Sequence, residues 1–189
     1  MDTLDTKEFK AAPSARPLAL RWGVIASLIL IAMGLVFQLS GFTDVTQQYS
    51  AGNLVSGLLS YAVMTVAGIL TVKQYRDEQL NRFISMGRAF GTSMLVMAVI
   101  AVLQAVWTIL YMEVINPDLM KEIMDAQMDK MLEDGRVTEE QLEASSGMMG
   151  FFGSTWFIAA ASLFGMLFMG LILSLVVALV TKKEPKASF

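Results

Sequence analysis

The chain has 189 residues, 55% of them hydrophobic and only 16% charged, with a net charge of −3; this is the balance of one small membrane domain, not of a water-soluble globule. It contains no cysteine and no histidine, which excludes disulfides, thiolate metal sites, haem attachment, cysteine nucleophiles and histidine acid–base chemistry. Its basic residues are scattered near the ends of apolar runs with no stripe among them, so no nucleic-acid surface is expected, and no cofactor.

The first 17 residues read as a disordered arm carrying Lys7, Lys10 and Arg16. An apolar run over 18–39 follows. It is longer than the ~7–15 residues of a signal-peptide core, and Gln38-Leu39-Ser40-Gly41 is no small-residue cleavage site, so an uncleaved signal-anchor helix is expected. Further apolar runs cover 52–72, 89–112 and 156–180. Each reaches or passes the ~20 residues needed to cross a ~30 Å hydrocarbon core, and none carries a charge in its middle. The expectation is an all-α integral membrane protein with four transmembrane helices spanning residues 18–183, followed by a short tail, 184–189.

Charge orients these spans. Lys7, Lys10, Arg16 and Arg21 precede the first, Lys73, Arg76, Arg82 and Arg88 follow the second, and Lys182, Lys183 and Lys186 end the chain. The first loop has no basic residue, and the third sets Lys121, Lys130 and Arg136 against ten acids from Glu113 to Glu143. The positive-inside rule therefore places both termini in the cytoplasm of a cell inner (plasma) membrane. Trp22 and Tyr75 fall at the inner interface, and Trp107, Tyr111 and Trp156 at the outer one.

Small and polar residues recur at helical spacing within the spans: Gly57, Tyr61, Thr65 and Gly68; Ser93, Met97, Ala101, Gln104 and Thr108; Ala159, Ser162, Met166, Gly170 and Ser174. Such stripes let helices approach closely. Gly87-x-x-x-Gly91 is a candidate for a dimer or internal contact. Gln104 is the one deep amide; the favoured reading is an interhelical hydrogen bond, and the alternative is a polar lining, with Thr108 and Tyr61, for a permeation path. No ionisable side chain lies within the bundle, which disfavours charge-coupled transport.

The loop between the second and third spans reads as a charged helix end, Lys73-Gln74-Tyr75-Arg76-Asp77-Glu78, with Arg76 paired to Asp77 or Glu78. A re-entry turn follows, in which Phe83 and Ile84 dip toward lipid while Arg82 and Arg88 hold phosphates. Between the third and fourth spans an external amphipathic helical hairpin is expected over 116–150. Asn116-Pro117 supplies a helix start with an N-cap and a proline at N1. Leu119, Met120, Ile123, Met124, Met128, Met131 and Leu132 form an apolar stripe opposite Asp118, Glu122, Asp125 and Asp129. Gly135 stops the first helix, and Thr138 with Gln141 makes a capping box for a second, with Leu142 and Met148 on its apolar side. No D-x-D-x-D-G loop supports calcium. The stripe packs on the bundle, on its twin helix or at the bilayer surface; alternatively it is a partner groove, because methionine-rich faces adapt to varied ligands. Met120, Met124, Met128, Met131, Asp125 and Asp129 are the candidate partner-binding residues.

Tyr75-Arg76-Asp77-Glu78 followed by Phe83-Ile84-Ser85-Met86-Gly87-Arg88-Ala89-Phe90 resembles the bacterial membrane family known as domain of unknown function 4199. Ile115-Asn116-Pro117-Asp118, the acidic Met/Glu/Gln-rich segment after it and the long last span from Trp156 extend the resemblance over 18–183, with Met86 and Arg88 as departures from the family's pattern. The resemblance implies the four-span architecture and assigns no catalytic residue.

These readings converge on a non-enzymatic inner-membrane protein that contacts another membrane or periplasmic protein, or a second copy of itself, through the acidic hairpin. The runner-up is a small oligomeric transporter or channel with a Gln104-lined polar face. A lipid-modifying enzyme is a distant third, since a Ser-His-Asp triad cannot be assembled and every lysine lies in a tail or loop.

Overall fold

The computed structural model describes residues 13–43, 50–135, 138, 147 and 150–183. Four helices in it are long and apolar enough to cross a membrane: α1 (Arg16–Leu39), α2 (Ala51–Gln79), α3 (Met86–Leu110) and α5 (Thr155–Thr181). A π-helical turn, Tyr111–Ile115, prolongs α3, and α4 (Leu119–Glu133) lies between it and α5. Gln141, Leu142 and Met148, expected in a second hairpin helix, fall outside the described residues. Only an isolated two-residue bridge interrupts the helical character of the described residues.

Local chemistry sets the helix ends. Pro17 in the first turn of α1 needs no backbone donor. Ser50 and Ser154 cap α2 and α5, their hydroxyls accepting from the amides of Asn53 at 3.1 Å and Phe157 at 3.4 Å. At 29 residues α2 is about 43 Å long, well over the ~30 Å apolar thickness, so its last turns project past the hydrocarbon. Asn116 does not cap α4, contrary to expectation. Its amide donates to the Tyr111 carbonyl at 2.8 Å and closes the π-helical turn. Pro117 and Asp118 then turn the chain, and Asp118 stands at the N-cap without a side-chain bond. Gly135 ends α4 at φ +63, a left-handed position that suits glycine, with its amide donating to the Leu132 carbonyl.

Helices α2 and α3 form the inner pair. They pack on each other, α3 also packs against α1 and α5, and so does α2, whereas α1 and α5 have no extensive mutual contact. Both described chain ends lie at one end of the bundle, the termini end, beside the α2–α3 loop. Only 22–28% of the residues in each span's most apolar window are buried. The remainder turn leucine, isoleucine, valine and phenylalanine outward, a surface that demands a hydrocarbon solvent. This is the build of a multi-pass membrane protein.

Close helix approach is concentrated around Met97, which is 0% exposed. A Cβ on Gly170 would lie 2.7 Å from the Met97 Cβ, and one on Gly68 would lie 2.8 Å from Ser93 Oγ and 3.3 Å from the Met97 methyl. The two glycines make the slot that Met97 fills, joining α2, α3 and α5. Gly87 and Gly91 play no such part: both are exposed, with nothing within 4 Å of an added Cβ. The stripe expected on the second span also needs correction. Tyr61 is 39% exposed, and the inner face of α2 is Met64, Ala67, Gly68, Thr71, Val72 and Tyr75.

Candidate functional site

Three places concentrate polar groups, and the densest is at the termini end. Five successive residues of α2 leave the apolar part of the helix as Gln74-Tyr75-Arg76-Asp77-Glu78, and all five are engaged. Gln74 Oε1 accepts from Trp22 Nε1 at 2.9 Å, and Gln74 Nε2 donates to Glu78 Oε1 at 3.0 Å. The Tyr75 hydroxyl donates to the Pro13 carbonyl at 2.6 Å. Arg76 holds Asp77 through two parallel bonds, 2.8 and 3.1 Å, and donates from Nη1 to the Thr181 carbonyl at 3.2 Å. That last bond satisfies a carbonyl at the C-terminus of α5, where a cation also complements the helix dipole.

The following turn is tightly wound. The amides of Leu80 and Arg82 both donate to the Arg76 carbonyl, at 3.3 and 3.0 Å. Asn81 and Arg82 sit in the left-handed region at φ 50 and 70, conformations costing about 1–2 kcal/mol for a side chain without Asn-type local bonding. The chain then meets the C-terminal segment. Ile84 and Lys183 exchange both backbone hydrogen bonds, at 2.9 and 3.0 Å. Ile84 is 2% exposed, buried with Ala15, Leu18, Val72, Tyr75, Ala89, Val177 and Ala178. It therefore does not dip toward lipid as the sequence suggested: pairing with Lys183 turns it inward, while Phe83 remains exposed. The arm joins this junction at Pro13, four residues before the boundary read from sequence, and residues 1–12 are outside the described part.

The sequence reading of Arg76 as a local ion partner holds for Asp77 but missed its reach to α5, and it missed Tyr75 as the anchor of the arm. The available signal was a glutamine and a tyrosine interleaved with charges just beyond an apolar run.

The second place is a cavity of about 200 Å³ between α1 and α3 toward the far end, bounded by Gln38, Thr43, Gln104, Trp107 and Tyr111 among others. Gln104 Nε2 donates across to the Ser27 carbonyl at 3.2 Å. Thr108 turns its hydroxyl back to the Gln104 carbonyl at 2.9 Å, the usual way a hydroxyl satisfies itself in a membrane helix. Gln104 and Thr108 are thus neighbours on one helix face, but of the three residues expected to form a polar lining only Gln104 borders this cavity; Thr108 does not, and Tyr61 lies on α2.

The third place is α4. Met120, Met124, Met128 and Met131 are half-buried, and Asp125 and Asp129 are exposed. Among the described elements α4 has no extensive packing partner. Beyond it, Phe151, Phe152 and Phe157 cluster with ring centroids 4.9–5.6 Å apart at the entry to α5.

A family model described as "Protein of unknown function (DUF4199)" matches residues 21–183, and the chain belongs to that family. No curated protein and no solved structure matches it.

Proposed function

We propose that this DUF4199 protein is a non-enzymatic membrane protein that acts through protein contacts of the segment from Asn116 to Gly150. The observation that supports this is α4, a helix with a half-buried methionine row and an exposed acidic row that packs extensively on no other described helix. A methionine face of this kind accommodates a partner's apolar side chains without a fixed shape. In this reading the segment lies outside the cell's inner membrane, with both termini in the cytoplasm, as the basic residues at the termini end favour. It engages another membrane or periplasmic protein, or a second copy of the chain.

The test exploits the absence of cysteine. A single cysteine at Gln127 carrying a photo-crosslinker, in native membranes, is expected to yield one dominant protein adduct. Deleting Asp118–Ser146 should preserve insertion and abolish the phenotype that the full chain complements. Adducts to lipid alone, or full complementation by the deletion, would overturn the proposal. Impermeant maleimide should label a cysteine at Gln127 in intact cells and spare one at Ser14.

The alternative, a small oligomeric transporter or channel, draws on the polar cavity beside Gln104. Against a path through one copy, Ala101, Ile100 and Met97, on the turns of α3 toward the termini end, are each 0% exposed. Liposome flux that falls on Gln104→Leu, with assembly unchanged, would favour this alternative.

A further inference from the structure

A larger space than the cavity beside Gln104 lies elsewhere, a groove of about 310 Å³ between α1 and α2. Its walls are almost wholly apolar: Trp22, Ile25 and Met33 on α1 and Leu59, Ala62 and Leu70 on α2 are representative. From Trp22 to Met33 is eleven residues, or about 16 Å of helix. Half of a ~30 Å hydrocarbon core is about 15 Å, so the groove has the depth of one leaflet. It begins at the termini end at Trp22, whose Nε1 donates to the Gln74 side chain.

Two cations stand at that end. Arg21 lies one turn before Ile25 on the α1 wall, and Lys73 one turn after Leu70 on the α2 wall; both are exposed. The acids nearby are occupied: Asp77 by the two Arg76 bonds and Glu78 by the Gln74 amide. Among the described residues neither Arg21 nor Lys73 has an ion-pair partner, and Asp77 is already paired with Arg76.

We propose that this groove is a lipid site that takes one acyl chain of an anionic phospholipid from the leaflet at the termini end, with the phosphate between Arg21 and Lys73. The apolar walls match the chain, the groove's length matches one leaflet, and the unpaired cations match the headgroup charge. A neutral phospholipid would fill the walls equally well and leave those cations without a counter-charge. The site is independent of α4, and its test is separate from the crosslinking experiment.

Trp22 is a built-in reporter. The full chain carrying Trp107→Phe and Trp156→Phe, which leaves Trp22 as the one tryptophan, is reconstituted in phosphatidylcholine vesicles. These contain increasing fractions of either phosphatidylglycerol or phosphatidylcholine brominated in the upper acyl chain. Brominated phosphatidylglycerol is expected to reach half-maximal quenching at a mole fraction about tenfold lower than brominated phosphatidylcholine, the scale set by one or two surface cations. Adding Arg21→Gln with Lys73→Gln should bring the two curves together. Ala62→Leu, which narrows the groove, should weaken quenching by both. If the tryptophan substitutions impair insertion, a bimane-labelled cysteine at Ala62 reports the same comparison. Equal quenching by the two lipids before the cation substitutions overturns the proposal, since only unselective surrounding lipid is then present. A preference that survives loss of both cations overturns it as well. So does absence of quenching by either lipid, the sign that protein, such as a second copy, covers the groove.

Discussion

The two ends of this bundle are built in opposite ways. At the termini end, α2 side chains bond to the arm at Pro13, to α1 at Trp22 and to the C-terminus of α5 at Thr181, and a backbone bridge joins Ile84 to Lys183. At the far end, described polar contacts between helices thin to the Gln104–Ser27 bond, a cavity of about 200 Å³ opens beside it, and α4 has no extensive packing partner among the described helices. The difference teaches where rigidity comes from in a lipid solvent. Apolar faces gain little by choosing another helix over a lipid tail, so fixed geometry is supplied by glycine slots and by polar bonds outside the hydrocarbon. The termini end has both in reach, with Met97 seated between Gly68 and Gly170 in the spans it caps.

Substitutions can break or sharpen this contrast. The largest effect is expected from Gly170→Leu, which drives a side chain into Met97. Overpacking should cost about 3 kcal/mol, read as a lowered midpoint in detergent-mediated unfolding, with Gly91→Leu near neutral as its outward-facing control. Arg76→Gln removes the Asp77 fork and weakens the bond to the Thr181 carbonyl. About 1–2 kcal/mol should be lost, and amide exchange at Thr181 and Lys183 should quicken before that of the far end does. Gln104→Leu deletes the Ser27 bond, and about 0.6 kcal/mol is the expected loss; a drop as large as that of Arg76→Gln would erase the distinction between the ends. Arg82→Gly relieves a left-handed backbone and should raise stability by about 0.5 kcal/mol or less. Met124→Ser with Met128→Ser should change stability by about 0.5 kcal/mol or less while removing the partner adducts of a Gln127 crosslinker.

The stripes read from spacing fared unequally, for a physical reason. Ser93, Met97 and Ala101 on α3, and Ala159, Gly170 and Ser174 on α5, are buried. Small and hydroxyl groups there permit contact that bulkier residues prevent, so the pattern carried real information. On α2 the same logic followed Gly57 and Tyr61, which face outward or only partly inward, and passed over Met64 and Val72. Gly87-x-x-x-Gly91 pointed to a contact that is not formed within the chain. A glycine allows close approach without requiring it.

The sequence by itself determined the number of spans, their approximate limits and the asymmetry of charge between the two ends, because each follows from length, apolar content and basic residues counted along the chain. It also carried the family, through the run from Tyr75 to Phe90. Only the tertiary structure decided which face of each helix is inside. The spans are apolar almost all round, so their hydrophobicity has no periodic component to read. Only the tertiary structure, too, showed the reach of Tyr75 and Arg76, whose partners lie 62 and 105 residues away. No local pattern encodes a contact at that separation, because it exists only once four helices have brought Pro13 and Thr181 beside the end of α2.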